Sequence, residues 1–354
     1  MKRNFIVKIY LIITCLFFYS ANGDEFTMWD EMYGDLSQES IEKLKALPTN
    51  YSFDISILNQ QCEFLVNDFP LENTANDVMF EEGGIPKTFG WSMGHSIGRI
   101  MQNGENTITL RALGDHKNIH AKPGEQYCKV TIYAEKTGVI QQEVSNIVIS
   151  YDDEKQTLVT TQSTIYEGRD VIERDIRAEV VDSVVYEDGK DIVFSRKLIG
   201  NNLPEFRWTK ATPYTDTPEQ RAKLVKAYQQ VETLLRNKDL DALRQLFLPA
   251  FEEKAHLDGG FSANAIFDSL GLDYDFKEKG FHVRPIHYDD YVPVLYNQGR
   301  QVRLYHKDYL YYLPYKKGSA YKMPLKMYFF NDDSEFSTLN PVFSLVDGEF
   351  VITF

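Results

Sequence analysis

The chain has 354 residues, of which 52 are acidic and 38 basic, for a formal net charge of −14 at pH 7. That sign argues against nucleic acid and anionic membrane surfaces as partners. With 43% hydrophobic and 14% aromatic residues there is material for two cores, and the length fits two domains.

Residues 1–23 read as a secretory signal peptide. Met1-Lys2-Arg3-Asn4 is a basic start. The apolar run over 9–19 is too short to span a bilayer core of about 30 Å. Ala21 and Gly23 then put small residues at the −3 and −1 positions of a cleavage site after Gly23. A retained anchor is the alternative, and the short apolar run favours removal. Cys15 follows Thr14 within that run, which is a poor lipidation site. Cleavage removes Lys2, Arg3 and Lys8 but no carboxylate, so the mature chain is more acidic still. No later segment is apolar enough to cross a membrane as a helix, so no transmembrane anchor is expected after cleavage. The expected compartment is the periplasm, with full secretion as the alternative.

Residues 24–50 form a polar lead-in with one short helix, opened near Ser37-Gln38-Glu39 and closed by Pro48. Residues 51–200 read as strands: 51–58, 62–66, 107–113, 127–135, 140–150, 157–165, 178–186 and 192–198. Period-two patterning between turn signals such as Asn103-Gly104 and Lys122-Pro123-Gly124 predicts a sandwich of two antiparallel sheets. Cys62 and Cys128 are the cysteines left after cleavage. Cys62 shares a strand face with Phe64 and Val66, and Cys128 shares one with Val130, Ile132 and Ala134. In an oxidising compartment this pair reads as a disulfide, with two buried thiols as the alternative.

Two strings here resemble galactose-binding-like jelly-roll modules: Phe64-Leu65-Val66-Asn67-Asp68, and Gly104-Glu105-Asn106-Thr107-Ile108-Thr109-Leu110. The resemblance covers about 50 residues and departs at Asp68, where the pattern has Gly. It implies a jelly-roll-like fold and leaves sugar binding open, since many such modules bind none.

Residues 201–217, with Asn201-Asn202, Pro204 and Pro213, read as a linker. Beyond them, residues 218–354 change period. Thr217-Pro218-Glu219-Gln220 carries the signals of a helix start. Ala222, Val225, Tyr228, Val231 and Leu235 follow at helical spacing. A second helix with Leu240, Leu243, Leu246 and Phe247 is expected to stop at Pro249, and 261–270 to form a third. Strands follow at 283–287, 291–296, 301–306, 309–314, 325–330, 342–346 and 350–354. Helices before an antiparallel run give a smaller α+β domain. The stretch from Leu234 to Phe247 resembles the first helix pair of the nuclear-transport-factor-2-like fold, which hosts both enzymes and binding modules.

Gly90-Trp91-Ser92-Met93-Gly94 matches the nucleophile-elbow pattern, making Ser92 the candidate catalytic residue. Its flanks lack the buried strand and following helix that an elbow needs. His116 and His120 stand four apart but between Gly114 and Pro123, which favours loop histidines. His282, His287, Asp289, Asp290 and His306 cluster loosely; strand alternation would put His287 and Asp289 opposite Asp290. No metal site is assigned. Tyr309, Tyr311, Tyr312, Tyr315 and Tyr321 lie among lysines, and so does Tyr328. They read as cross-strand pairs or as a partner-binding face. No nucleotide-binding, zinc-protease or C-x-x-C motif occurs, and no cofactor is expected.

The expectation is an exported, non-enzymatic binding protein of the cell envelope whose partner is another protein, in the manner of an immunity protein that neutralises a periplasmic toxin. The alternatives are a secreted serine hydrolase using Ser92 and a glycan-binding protein.

Overall fold

Among the described residues, ten strands build the N-terminal half: β1 (Thr49–Leu58), β2 (Gln61–Val66), β3 (Phe69–Asn73), β4 (Gly90–Ser96), β5 (Gly104–Leu113), β6 (Tyr127–Lys136), β7 (Gln142–Asp152), β8 (Thr157–Thr161), β9 (Glu179–Asp188) and β10 (Asp191–Gly200). The computed structural model describes residues 46–73, 90–113, 121–136, 142–161, 179–188, 191–258, 261–307, 324–329 and 335–354. The expected signal peptide, most of the expected lead-in, His116, His120 and Tyr309 to Tyr321 lie outside the described residues.

The strands form two antiparallel sheets, ordered β4-β1-β6-β7-β8 and β3-β2-β5-β10-β9. The sequence reasons are local. Along β1, Tyr51, Phe53, Ile55 and Ile57 alternate inward and are fully buried. Phe64 and Val66 do the same from β2. The rings of Phe53 and Phe64 meet across the sandwich at 4.7 Å between centroids. Cys62 of β2 and Cys128 of β6 form a disulfide between the two sheets, with Cα atoms 6.3 Å apart. Asn67 and Asp68, both at positive φ, make the two-residue turn from β2 to β3. The Asp where the jelly-roll pattern has Gly therefore still takes the left-handed conformation.

The segment between the two halves packs rather than dangles. Leu203, Phe206, Trp208, Ala211 and Tyr214 are all buried. The Trp208 indole N–H donates to the Arg99 carbonyl at 2.8 Å, and Arg300 stacks over its ring at 5.2 Å. Arg207 donates its backbone N–H and its Nε to Glu253 at 2.8 and 3.2 Å.

The C-terminal half begins with α1 (Pro218–Asn237), capped by the Thr217 hydroxyl, which accepts from the Gln220 N–H. Its buried stripe is Leu224, Tyr228, Val231 and Leu235. The second helix, α2 (Leu240–Asp258), runs through Pro249 instead of stopping there. Proline removes one ladder hydrogen bond, but Ala250, Phe251 and Leu257 beyond it are buried, and that packing outweighs the loss. Leu257 joins the sandwich core. Short helices α3 (Ala263–Asp268) and α4 (Leu272–Asp275) follow.

Among the described residues, seven further strands follow: β11 (His282–Val283), β12 (Tyr291–Tyr296), β13 (Gln301–His306), β14 (Lys326–Phe329), β15 (Glu335–Thr338), β16 (Phe343–Val346) and β17 (Glu349–Ile352). They form a three-stranded sheet, β11-β14-β15, and a four-stranded sheet, β12-β13-β16-β17. Helix α1 is pinned to the larger one through Tyr228. Its hydroxyl accepts from the Leu304 N–H at 3.0 Å and its ring meets Phe343 at 4.8 Å. The whole is a mainly β protein: an antiparallel sandwich, then helices, then antiparallel sheets.

Candidate functional site

An open cleft of about 420 Å³ lies where the two C-terminal sheets meet. The turn after β11 supplies Arg284, Pro285, Ile286, His287 and Asp290. Tyr291 begins β12, His306 ends β13, and Pro324, Lys326 and Tyr328 come from β14 or just before it.

Strand geometry sets this arrangement. In β14, Met327 points into the core while Lys326 and Tyr328, two apart, share the opposite face. Tyr328 sits opposite His282 in the β11–β14 pair, and their rings stack at 5.5 Å. The Arg284 guanidinium lies over the same tyrosine, 4.8 Å from its centroid. Tyr291 sits opposite His306 in the β12–β13 pair, with the rings edge-on at 5.4 Å. Thus two ring pairs, each fixed by strand register, frame the cleft, with Tyr328, Tyr291 and His306 lining it.

Residues Tyr288–Asp290 form a 3₁₀ turn, not a strand. Three residues per turn eclipse positions i and i+3, so His287 and Asp290 share the cleft and the expected alternation is corrected. Tyr288 is tied back to α1 by a hydrogen bond from its hydroxyl to Glu232 at 2.8 Å.

Among the described residues, the lining carries Arg284 and Lys326 against one carboxylate, Asp290, together with His287 and His306. Burial, then the nearby Arg284 charge, holds the Lys326 ammonium below the ordinary lysine range. Burial, then Tyr328 and Asp290, pushes the Tyr291 phenol up.

Among the sequence candidates, His287, Asp290 and His306 come together here, while His282 stands behind Tyr328. Asp289 is not part of the lining. Among the described residues, no group of three His, Cys, Asp or Glu side chains could hold a metal ion. Ser92 lies inside β4, opposite Ser56 of β1. An elbow needs a strand-to-helix turn at the serine, and here the whole string is strand. Sequence reasoning missed Arg284 and Lys326. The signal available for Lys326 was a lone lysine between apolar residues on a short aromatic strand, two positions before Tyr328.

No known protein family, curated protein or solved structure matches this chain. Among the described residues, no helix is long and apolar enough to cross a membrane.

Proposed function

We propose that this chain is an exported binding protein of the cell envelope that engages another protein through the cleft and converts no substrate. The observation that carries this reading is the open, strand-framed cleft that gathers Arg284, Tyr291 and Tyr328. Arginine and tyrosine are the residue types on which binding energy concentrates at protein interfaces. Strand backbones hold Tyr291 and Tyr328 without the ordering cost of a loop, and Arg284 is positioned by stacking on Tyr328. The disulfide across the sandwich favours an oxidising compartment, in keeping with export.

The test is affinity capture from the envelope and medium of the source organism, using the full chain with a C-terminal tag. Arg284→Ala and Tyr328→Ala run beside wild type, with Lys155→Ala as a remote control, and bound material is identified by mass spectrometry. The expected result is one stoichiometric protein, retained by Lys155→Ala and lost by both cleft variants. Equal capture by all four proteins would contradict the reading, as would reproducible capture of nothing. A toxin-like partner would put the protein in the immunity class.

A further inference from the structure

We infer that the cleft is an oxyanion site: it receives a single carboxylate or phosphate group borne on an apolar or aromatic body. The inference rests on the reading of the cleft as the binding surface, and adds the chemistry of what enters it.

Three observations converge. The first is charge: in a chain of net charge −14, the charged side chains among the described residues of the cleft are Arg284 and Lys326 against Asp290. A cationic concavity within an acidic protein concentrates field on the anion that enters it. The second is geometry. Arg284 stacks on Tyr328, which uses the face of the guanidinium. Paired recognition of a carboxylate or phosphate uses its edge, so stacking positions the group without competing for the ligand. The third is the apolar lining: Pro285, Ile286, Tyr291 and Pro324 complete the walls. The volume of about 420 Å³ falls within the range of small-ligand sites. A bare inorganic ion would leave most of this apolar wall unfilled, whereas a ring or short aliphatic body would cover it.

The electrostatics of the cleft agree. Lys326 is half-buried beside Arg284, and its proton is held less tightly than usual for both reasons. An anion placed among these groups offsets their repulsion.

Two sources could present this chemistry: a free small organic anion, or an acidic side chain of the protein partner. The experiment separates them. Benzoate and phenyl phosphate are titrated into the full-length protein by calorimetry, with benzyl alcohol as the uncharged control and inorganic phosphate as the bodiless one. Binding of either aromatic anion at least tenfold tighter than both controls is expected. Arg284→Gln and Lys326→Met should each weaken it by about tenfold, the scale of one charge-assisted hydrogen bond. Circular dichroism confirms that each variant is folded. Displacement of the captured protein by phenyl phosphate assigns the oxyanion to a partner side chain, and binding without displacement assigns it to a free ligand. Benzyl alcohol binding as tightly as benzoate would overturn the inference, as would undiminished binding in both variants. The two readings fail separately. Loss of anion binding in Arg284→Gln with protein capture intact would sink only the protein-binding reading. Capture that depends on Arg284 with no anion binding would sink only this one.

Discussion

Replacing Trp208 tests whether the two halves form one mechanical body. Its indole is fully buried in the sandwich core cluster, yet it lies in the segment leading to α1. Trp208→Ala removes the largest side chain of that cluster, at a cost of about 3–5 kcal/mol for a core aromatic. It also strands the Arg99 carbonyl that accepts the indole N–H, and a lost buried partner adds about 1–3 kcal/mol. Trp208→Phe keeps most of the packing and loses mainly the hydrogen bond, so about 1–3 kcal/mol is expected. Urea unfolding followed by far-ultraviolet circular dichroism, with calorimetry in parallel, measures both. Wild type should unfold in one transition. Trp208→Ala should lose at least about 4 kcal/mol and separate into two transitions. A loss below about 1 kcal/mol with an unchanged single transition would refute the reasoning, because a buried wedge cannot be removed so cheaply.

Other consequences follow from the same packing. Cys62 and Cys128 are 66 residues apart in sequence, and freeing them with a Cys62→Ser, Cys128→Ser pair should cost about 4 kcal/mol of unfolded-chain entropy, read by urea midpoint; a loss under about 1 kcal/mol would count against the bridge. A Cβ at Gly98 would stand 2.7 Å from Leu257 Cδ2 and 2.9 Å from Asn50 Oδ1. Gly98→Ala should therefore destabilise by about 1–3 kcal/mol, and Leu257→Ala should relieve part of that clash in a double-mutant cycle. Burial pushes Tyr51 and Tyr214 up to about 12, Tyr214 also through its hydrogen bond to Asp216. Both stay protonated in the fold at pH values where the unfolded chain ionises. Their contribution is thus full below pH 10.0 and is lost as pH rises toward 12. Absorbance at 295 nm should show these phenols ionising only together with loss of circular dichroism; early ionisation in the folded protein would contradict their burial.

Much of the fold was readable because period two and period 3.6 each mark one buried face. The ranges 291–296 and 301–306 coincide with β12 and β13, where alternating side chains leave little choice of register. Three strands, β3, β4 and β15, were missed, and all three are sheet edges. An edge tolerates the Pro70 of β3 and the glycines of β4, residues that read as breakers when pairing on both sides is assumed. The glycines of β4 also produced the elbow pattern around Ser92. Pro249 misled in the opposite direction, because tertiary burial of Phe251 and Leu257 overrides a local rule.

The cleft was less legible. Its histidines and Asp290 were visible as a loose cluster, but the 3₁₀ turn that aligns His287 with Asp290 has no marker in the sequence. Arg284 and Lys326 are 42 positions apart and meet only through pairing of β11 with β14, across two residue pairs, His282 with Tyr328 and Val283 with Met327. Convergence of this kind is set by long-range register, which periodicity within one segment cannot report.

The central claim is that the cleft is where the partner sits. Hydrogen exchange on the captured complex, compared with the free protein, tests it most directly. The account predicts slowed exchange at residues 284–291 and 326–328 on binding, with β7 and β8 unchanged. Slowed exchange confined to the sandwich, with 284–291 and 326–328 exchanging as in the free protein, would contradict it.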